Sequence, residues 1–93
     1  MANDNTYNGW TNYATWRVNL EIFDGVDPFD MGWLTADEHA RDLAVVLREY
    51  AEELIESTAP EGLARDYAMA FVDSVNYREI AELMLEAYAD EAA

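Results

Sequence analysis

The sequence predicts an all-α fold, a compact bundle of about four helices with a flexible N-terminal arm. Three observations lead to this prediction. Large apolar residues recur at spacings of three and four along most of the 93 residues, which places them on one face of a helix. Ala and Glu, both strong helix formers, dominate the second half of the chain. No segment alternates apolar and polar residues over the length of a strand.

The arm and the first helix are predicted from local signals. Residues 1–9 are polar and lack periodicity, so we expect a flexible arm that ends in a turn at Asn8-Gly9. Either Thr11 or Asn12 is a candidate N-cap for a helix that runs to about Phe23. Residues 10–93 then form a single acidic helical domain. The predicted buried face of the first helix comprises Tyr13, Trp16, Leu20 and Phe23.

A loop and a long helix follow. Residues 24–34 are rich in Asp and Gly, so we predict a loop with local turns, which Phe29 and Trp33 pin to the core. The segment Thr35–Glu38 has the pattern of a capping box, which predicts a long helix that runs to about Ser57. Its predicted buried stripe comprises Ala36, Ala40, Leu43, Leu47, Tyr50, Leu54 and Thr58.

Two shorter helices complete the predicted bundle. Pro60 suits a first helical turn and precedes a third helix over about 61–74. Asn76, with Glu79 three residues later, is a candidate cap for a fourth helix over about 77–90. The predicted buried residues of the third helix are Leu63, Tyr67, Ala70 and Phe71, and those of the fourth are Tyr77, Ile80, Ala81, Met84 and Tyr88.

The charge of the chain is its strongest functional signal. Twenty Asp and Glu residues face five Arg, one His and no Lys, for a formal net charge of −15. Such a charge opposes compaction through self-repulsion, and a small domain has limited burial to offset it. We therefore expect a partner with a strongly basic surface, of the kind that binds nucleic acid. The alternative is compositional bias from a GC-rich genome or a salt-adapted host.

The candidate partner-binding residues form two acidic stripes at helical spacing. The first lies on the long helix and consists of Glu38, Asp42, Glu49, Glu53 and Glu56. The second lies on the last helix and consists of Glu79, Glu82, Glu86 and Asp90. We expect Arg41 and Arg48 to pair with Asp37 and Glu52 across one turn, which leaves both stripes strongly negative.

The magnitude of the charge is compatible with an imitation of DNA. The first stripe would extend over about 27 Å of helix. A folded chain of this length is about 32 Å across when treated as a sphere, and that length of duplex carries about 19 phosphate charges. The net charge of −15 is of the same order. The alternative for either stripe alone is a solvated helix face without function.

The sequence shows no residue pattern that is typical of a catalytic or metal-binding site. The chain has no Cys, and His39 is expected to be a surface residue without a catalytic role. Asp24, Asp27 and Asp30 lack the ligand order and the closing Glu of a calcium-binding EF-hand loop. We therefore expect no enzyme activity, no catalytic residue, no metal site and no cofactor. The five Arg are scattered along the sequence, so we expect no basic patch that could bind nucleic acid directly.

The same reasoning gives an expected location. The N-terminal residues have neither the basic nor the apolar region of a signal peptide. No apolar run approaches the length that spans a bilayer, and anionic membranes repel an acidic chain. We therefore expect a protein of the host cell cytoplasm with no membrane partner.

One segment resembles a known group of proteins. The stretch Tyr7-Asn-Gly-Trp-Thr-Asn-Tyr-Ala-Thr-Trp-Arg-Val18 is similar to the Y-N-G-W-x-N-Y-x-T-W-x-V signature of small phage and mobile-element proteins. The resemblance covers about 12 residues, and Ala14 stands where that group often has Glu. From its residues alone, the segment is a turn followed by an N-capped helix, with Trp10 as a hydrophobic staple. A folding nucleus is the alternative to a functional site there.

The resemblance implies an inhibitor. Small acidic phage proteins include anti-CRISPR and anti-restriction proteins, many of which imitate DNA. The chain looks like an anti-CRISPR protein that binds a type I surveillance complex, and the resemblance makes the large subunit that reads the PAM the candidate contact. Two alternatives stay open: an anti-restriction DNA mimic, and a small adaptor or structural protein that binds a protein, or a second copy of itself, through aromatic residues such as Phe29 or Trp33.

Overall fold

The structure, a computed structural model, describes residues 6–33 and 39–88. Four α-helices lie in these residues, and none of them forms a strand, so the predicted all-α fold is confirmed. The helices are α1 (Tyr13–Val18), which a π-helical turn (Asn19–Phe23) continues, α2 (Ala40–Thr58), α3 (Leu63–Asp73) and α4 (Tyr77–Ala87).

The turn predicted at Asn8-Gly9 is confirmed. Tyr7 and Trp10 exchange two backbone hydrogen bonds, with N···O distances of 2.9 and 2.8 Å. Asn8 and Gly9 have φ angles of 49° and 86°, the left-handed conformation that a type I′ turn requires at both central positions. Residues 1–5 of the predicted arm lie outside the described residues.

The start of α1 is bound to the segment that precedes α4. Asn12 is the N-cap of α1, and its Oδ1 accepts hydrogen bonds from the Thr15 N–H (2.8 Å) and hydroxyl (2.6 Å). The Asn12 Nδ2 donates to the Ser74 carbonyl at 3.0 Å. Thr15 is fully buried, and its Oγ1 accepts from the Asn76 N–H at 2.9 Å.

The start of α4 is bound to α1 in the same way. Asn76 caps α4 as predicted, because its Oδ1 accepts from the Glu79 N–H at 3.1 Å. The Asn76 Nδ2 donates to the Thr11 hydroxyl at 2.9 Å, and the Thr11 N–H donates to Glu79 Oε1 at 3.0 Å. We call this network the double cap; its members are Thr11, Asn12, Thr15, Ser74, Asn76 and Glu79.

The core lies where α2 packs across α4 and α3, and α1 closes one side of it. Small Ala51 and Ala81 are both fully buried in it, which is consistent with a close approach of α2 and α4. The buried apolar residues are Ala14, Val18, Phe23, Leu43, Leu47, Ala51, Val72, Val75, Tyr77, Ile80, Ala81 and Met84.

The predicted buried face of α1 is wrong except for Phe23. Tyr13 and Leu20 are 41% and 49% exposed, and Trp16 is half-buried. The double cap orients α1 by burying Thr15. The π-helical turn after Val18 adds a residue to the helical repeat, so that Phe23 returns to the core five residues after Val18.

The long helix begins later than predicted. Its N-cap is His39, whose backbone is extended, so α2 starts at Ala40 and not directly after Thr35. The residues of the predicted capping box, with Ala36, lie outside the described residues. Within the predicted stripe, Tyr50 and Thr58 are exposed, whereas Ala51, which lies outside the predicted stripe, is fully buried.

The predicted buried face of α3 is wrong. Leu63, Tyr67 and Phe71 are 65%, 69% and 37% exposed, and Val72 is buried instead. Periodicity shows which residues share a face and does not show which face is buried. On another side of α3, the half-buried Arg65 donates from its guanidinium to the Glu56 carbonyl of α2 at 3.1 Å.

The predicted face of α4 is confirmed. Tyr77, Ile80, Ala81 and Met84 are buried, and Tyr88 is half-buried. The helix ends at Ala87, three residues before the predicted end.

The double cap should control stability. In a Thr15→Val variant the shape is kept, but the buried Asn76 N–H loses its acceptor. We expect the free energy of unfolding in urea to fall by about 1–3 kcal/mol. The matched control is Thr58→Val, because the exposed Thr58 hydroxyl bonds only within its own helix. That variant should stay within about 0.5 kcal/mol of the wild type, and equal losses in both variants would contradict the role of the double cap.

Candidate functional site: the acidic faces of α2 and α4

The outward side of α2 carries a row of carboxylates. Asp42, Glu49, Glu53 and Glu56 are all exposed. Their spacings of seven, four and three residues place them within about 60° of arc over about 21 Å of helix. The row lies opposite the buried side of α2. Glu38, which was expected to extend it, lies outside the described residues.

Within the described residues, no ion pair joins an arginine to this row, and four of the five Arg pair with other carboxylates. Arg48 forms the predicted pair with Glu52 at 3.9 Å; Asp37, the expected partner of Arg41, lies outside the described residues. The other ion pairs are Arg17–Glu21, Arg48–Asp73 (2.9 Å), Arg65–Glu61 (4.0 Å) and Arg78–Glu82 (3.3 Å).

The candidate acids of α4 have a different environment. Glu79 is half-buried and bound in the double cap. Glu82 pairs with Arg78 on the same helix. Glu86 is exposed, and Asp90 lies outside the described residues. The α4 stripe therefore offers fewer free carboxylates than the face of α2.

The two acidic faces do not form one surface. The helices α2 and α4 pack against each other through their apolar sides, so their polar sides point in diverging directions. A flat partner surface can contact only one of the two faces at a time. Asp42, Glu49, Glu53 and Glu56 are together the best candidate for a single contact.

Arg48 joins three helices beside the acidic face. Its guanidinium pairs with Asp73 at the end of α3 and lies 5.3 Å from the centre of the Tyr77 ring on α4. The Tyr77 hydroxyl donates to the Val72 carbonyl at 2.7 Å. Burial raises the pKa of Tyr77 to about 12, and the nearby Arg48 charge opposes part of that rise.

In the Asp-rich loop, the side chain of Asp27 binds the backbone of the loop itself. Asp27 Oδ1 accepts hydrogen bonds from the backbone N–H groups of Phe29 (2.9 Å) and Asp30 (3.4 Å), which closes a local turn. Among the described residues, no cluster of three or more His, Asp or Glu could hold a metal ion. In the same part of the chain, no helix combines the length and apolarity needed to cross a membrane.

The aromatic surface expected at the loop is not available there. Phe29 and Trp33 are half-buried and pack against the core. The ring of Trp33 lies 5.1 Å from that of Tyr50 and 6.4 Å from that of Phe23. Among the described residues, the exposed aromatic side chains are Tyr50 on α2, Tyr67 and Phe71 on α3, Tyr7 before α1 and Tyr13 at its start.

Comparison with known proteins identifies the family. The model of a family of unknown function, DUF7249, matches residues 3–91. The chain belongs to this family. The match includes all four helices, the double cap and the acidic face of α2. No curated protein and no solved structure matches the chain.

Burial of Tyr77 should make the fold sensitive to alkali. Because its pKa is raised from 10.0 to about 12, the folded state favours the neutral phenol. This stabilisation is complete below pH 10 and is lost as the pH rises through about 12. We expect the free energy of unfolding to fall over this range, and to fall less in Tyr77→Phe.

The Tyr77→Phe variant should also be less stable than the wild type at pH 8, by about 1 kcal/mol, because the hydrogen bond to the Val72 carbonyl is lost. Urea unfolding at pH 8, 10 and 11 measures both effects. The control is Tyr67→Phe, which changes an exposed tyrosine. Identical pH dependence in the wild type and Tyr77→Phe would contradict the assignment to Tyr77.

Salt should stabilise the fold by screening the repulsion between carboxylates on α2. The Debye length falls from about 10 Å at 0.1 M to about 3 Å at 1 M salt, so we expect most of the gain below about 0.5 M. A variant in which Asp42, Glu49, Glu53 and Glu56 become amides should gain less, as measured by melting temperature. A wild-type fold that forms only in molar salt would instead indicate salt adaptation.

Proposed function

We propose that the protein is an inhibitor that occupies the basic DNA-binding surface of a nucleic-acid-binding complex. The proposed contact is the acidic face of α2, formed by Asp42, Glu49, Glu53 and Glu56. The observation that carries the proposal is the regular row of exposed carboxylates without ion pairs among the described residues. The net charge of −15 gives the row a strongly negative surrounding field.

The geometry of the row supports an imitation of one DNA strand. Over about 21 Å of helix, the face carries four carboxylates; the same length of one strand carries about six phosphates. Lys and Arg side chains that normally pair with phosphates would pair with these carboxylates. Long-range attraction would make association fast and strongly dependent on salt.

The proposed target is a type I CRISPR surveillance complex at the site where it reads the PAM. This choice rests on the resemblance of the segment from Tyr7 to Val18 to proteins of phages and mobile elements. A restriction enzyme is the second target class, since the same acidic face suits any basic DNA-binding channel. The two target classes are distinguished by testing both complexes in the same assay.

Competition with DNA tests the proposal. A crRNA-guided type I complex is incubated with labelled target duplex and increasing amounts of the protein, at low and at physiological salt. We expect the bound duplex to be displaced, with weaker displacement at the higher salt concentration. Unchanged DNA binding at low salt with the protein in excess would contradict the mechanism.

Charge reversal should locate the contact. We expect Glu49→Lys/Glu53→Lys to weaken inhibition at least about tenfold at 0.1 M salt, because two attractions become repulsions. The matched control is Glu82→Lys/Glu86→Lys, which makes the same charge change on α4. Circular dichroism verifies that both variants fold. Equal inhibition by the two variants would contradict a contact through α2.

A further inference from the structure

The outward face of α3 is largely apolar. Leu63, Tyr67 and Phe71 follow one another at four-residue intervals and are 65%, 69% and 37% exposed. The exposed residues Ala64, Ala70 and Ser74 lie beside them, and the exposed Asp66 lies at one edge. Arg65 and Asp73 of the same helix instead bind groups of α2. Such a face is unusual in a chain of which 27% is charged.

This surface continues onto the segment before α1. The Phe71 ring lies 6.2 Å from that of Tyr13, and the Tyr13 ring lies 5.0 Å from that of Tyr7. Tyr13 and Tyr7 are 41% and 39% exposed. We call Leu63, Tyr67, Phe71, Tyr13 and Tyr7 the aromatic face.

The size of the aromatic face suits an interface. From the exposed fractions of its side chains, it presents roughly 500 Å² of largely apolar surface. Contiguous apolar patches of this size on soluble proteins commonly mark interaction sites. Phe71 and Tyr13 also line an open cleft of about 620 Å³, which could accept a side chain from a partner.

We propose that the aromatic face binds a second copy of this chain and forms a symmetric dimer. Charge favours a second copy of the chain over a basic partner at this face. A basic partner gains most at the acidic faces, because the aromatic face has only Asp66 at its edge and the Arg17–Glu21 pair beside Tyr13. A second copy, with its own charge of −15, is repelled at the acidic faces and meets less repulsion where carboxylates are few.

The order of residues on α3 is also self-complementary. Leu63 and Phe71 lie four residues before and after Tyr67. If two α3 helices pack antiparallel about a two-fold axis at Tyr67, each Leu63 meets Phe71 of the second copy. The two Tyr67 side chains meet at the axis. Each exposed large apolar residue of α3 thus finds an apolar counterpart, as a two-fold interface requires. The two Asp66 side chains lie at one edge of this contact, where water and salt can screen them.

The area sets the expected affinity. A dimer through this face buries about 1,000 Å² in total, which is less than stable specific interfaces bury and is typical of weak, transient ones, so we expect dissociation in the micromolar range. None of the four carboxylates on α2 belongs to the aromatic face. Dimerisation therefore leaves the acidic face of α2 outside the contact. The dimer and the proposed inhibitor function are thus tested independently of each other.

Light scattering over about 5–500 µM protein tests the dimer. We expect the mass to rise from the 10.6 kDa of one chain towards twice that value. Added salt should strengthen this association, because it screens the repulsion between copies, whereas it weakens the binding of a basic partner. A wild-type protein that stays monomeric at 500 µM in physiological salt would overturn the proposal.

Substitution at the axis locates the interface. Tyr67→Asp places two like charges against each other, and we expect the dimer to weaken at least about tenfold. Val45→Asp is the matched control, because Val45 is 54% exposed on α2 and lies outside the aromatic face. It should leave the dissociation constant unchanged. A dimer that Tyr67→Asp does not weaken would overturn the assigned face.

A mixture of two variants tests the symmetry. Tyr67→Arg should also weaken self-association, since two guanidinium groups would meet at the axis. When Tyr67→Asp and Tyr67→Arg are mixed in equal amounts, opposite charges meet, and we expect the dimer to be restored. Circular dichroism shows whether each variant is folded. Two folded variants that fail to associate when mixed would overturn the two-fold arrangement.

Discussion

The N-termini of α1 and α4 are capped by one shared hydrogen-bond network, the double cap. The first N–H groups of any helix lack partners within the helix, and here Asn12 and Asn76 supply acceptors for α1 and α4. The same two side chains also donate to the other segment, through the Ser74 carbonyl and the Thr11 hydroxyl. Neither cap is complete without the other, so the positions of α1 and α4 in the bundle are fixed together.

Local signals were enough to predict that four helices exist, that Asn76 caps the last, and that either Thr11 or Asn12 caps the first; the structure shows that this cap is Asn12. They were not enough to predict which side of a helix is buried, because that depends on contacts made after the chain folds. On α3, Val72 is buried and the larger Tyr67 is 69% exposed, although their spacing along the helix shows no preference for either side. The face of α1 follows from a π-helical turn, for which the apolar spacing provided no signal.

The sequence likewise predicted only some features of the candidate site. The row of carboxylates on α2 follows from helical spacing alone and survives in the structure. The loss of Glu79 from the acidic stripe could not be predicted, since its partner Thr11 lies 68 residues away. The pairing of Glu82 with Arg78 follows a spacing of four that is visible in the sequence. The aromatic face was missed because large apolar residues were assigned to the core.

The distance along the chain between the two halves of the double cap has a consequence during synthesis. At about 5–20 residues per second, a ribosome needs about 3–14 s to proceed from Thr11 to Glu79. During that interval Trp10, Trp16 and Phe23 have already been made but have no α4 to pack against or to cap with. We expect the excess of carboxylates to matter at this stage too, because like charges repel and so hold unfinished chains apart until the last helix has been translated.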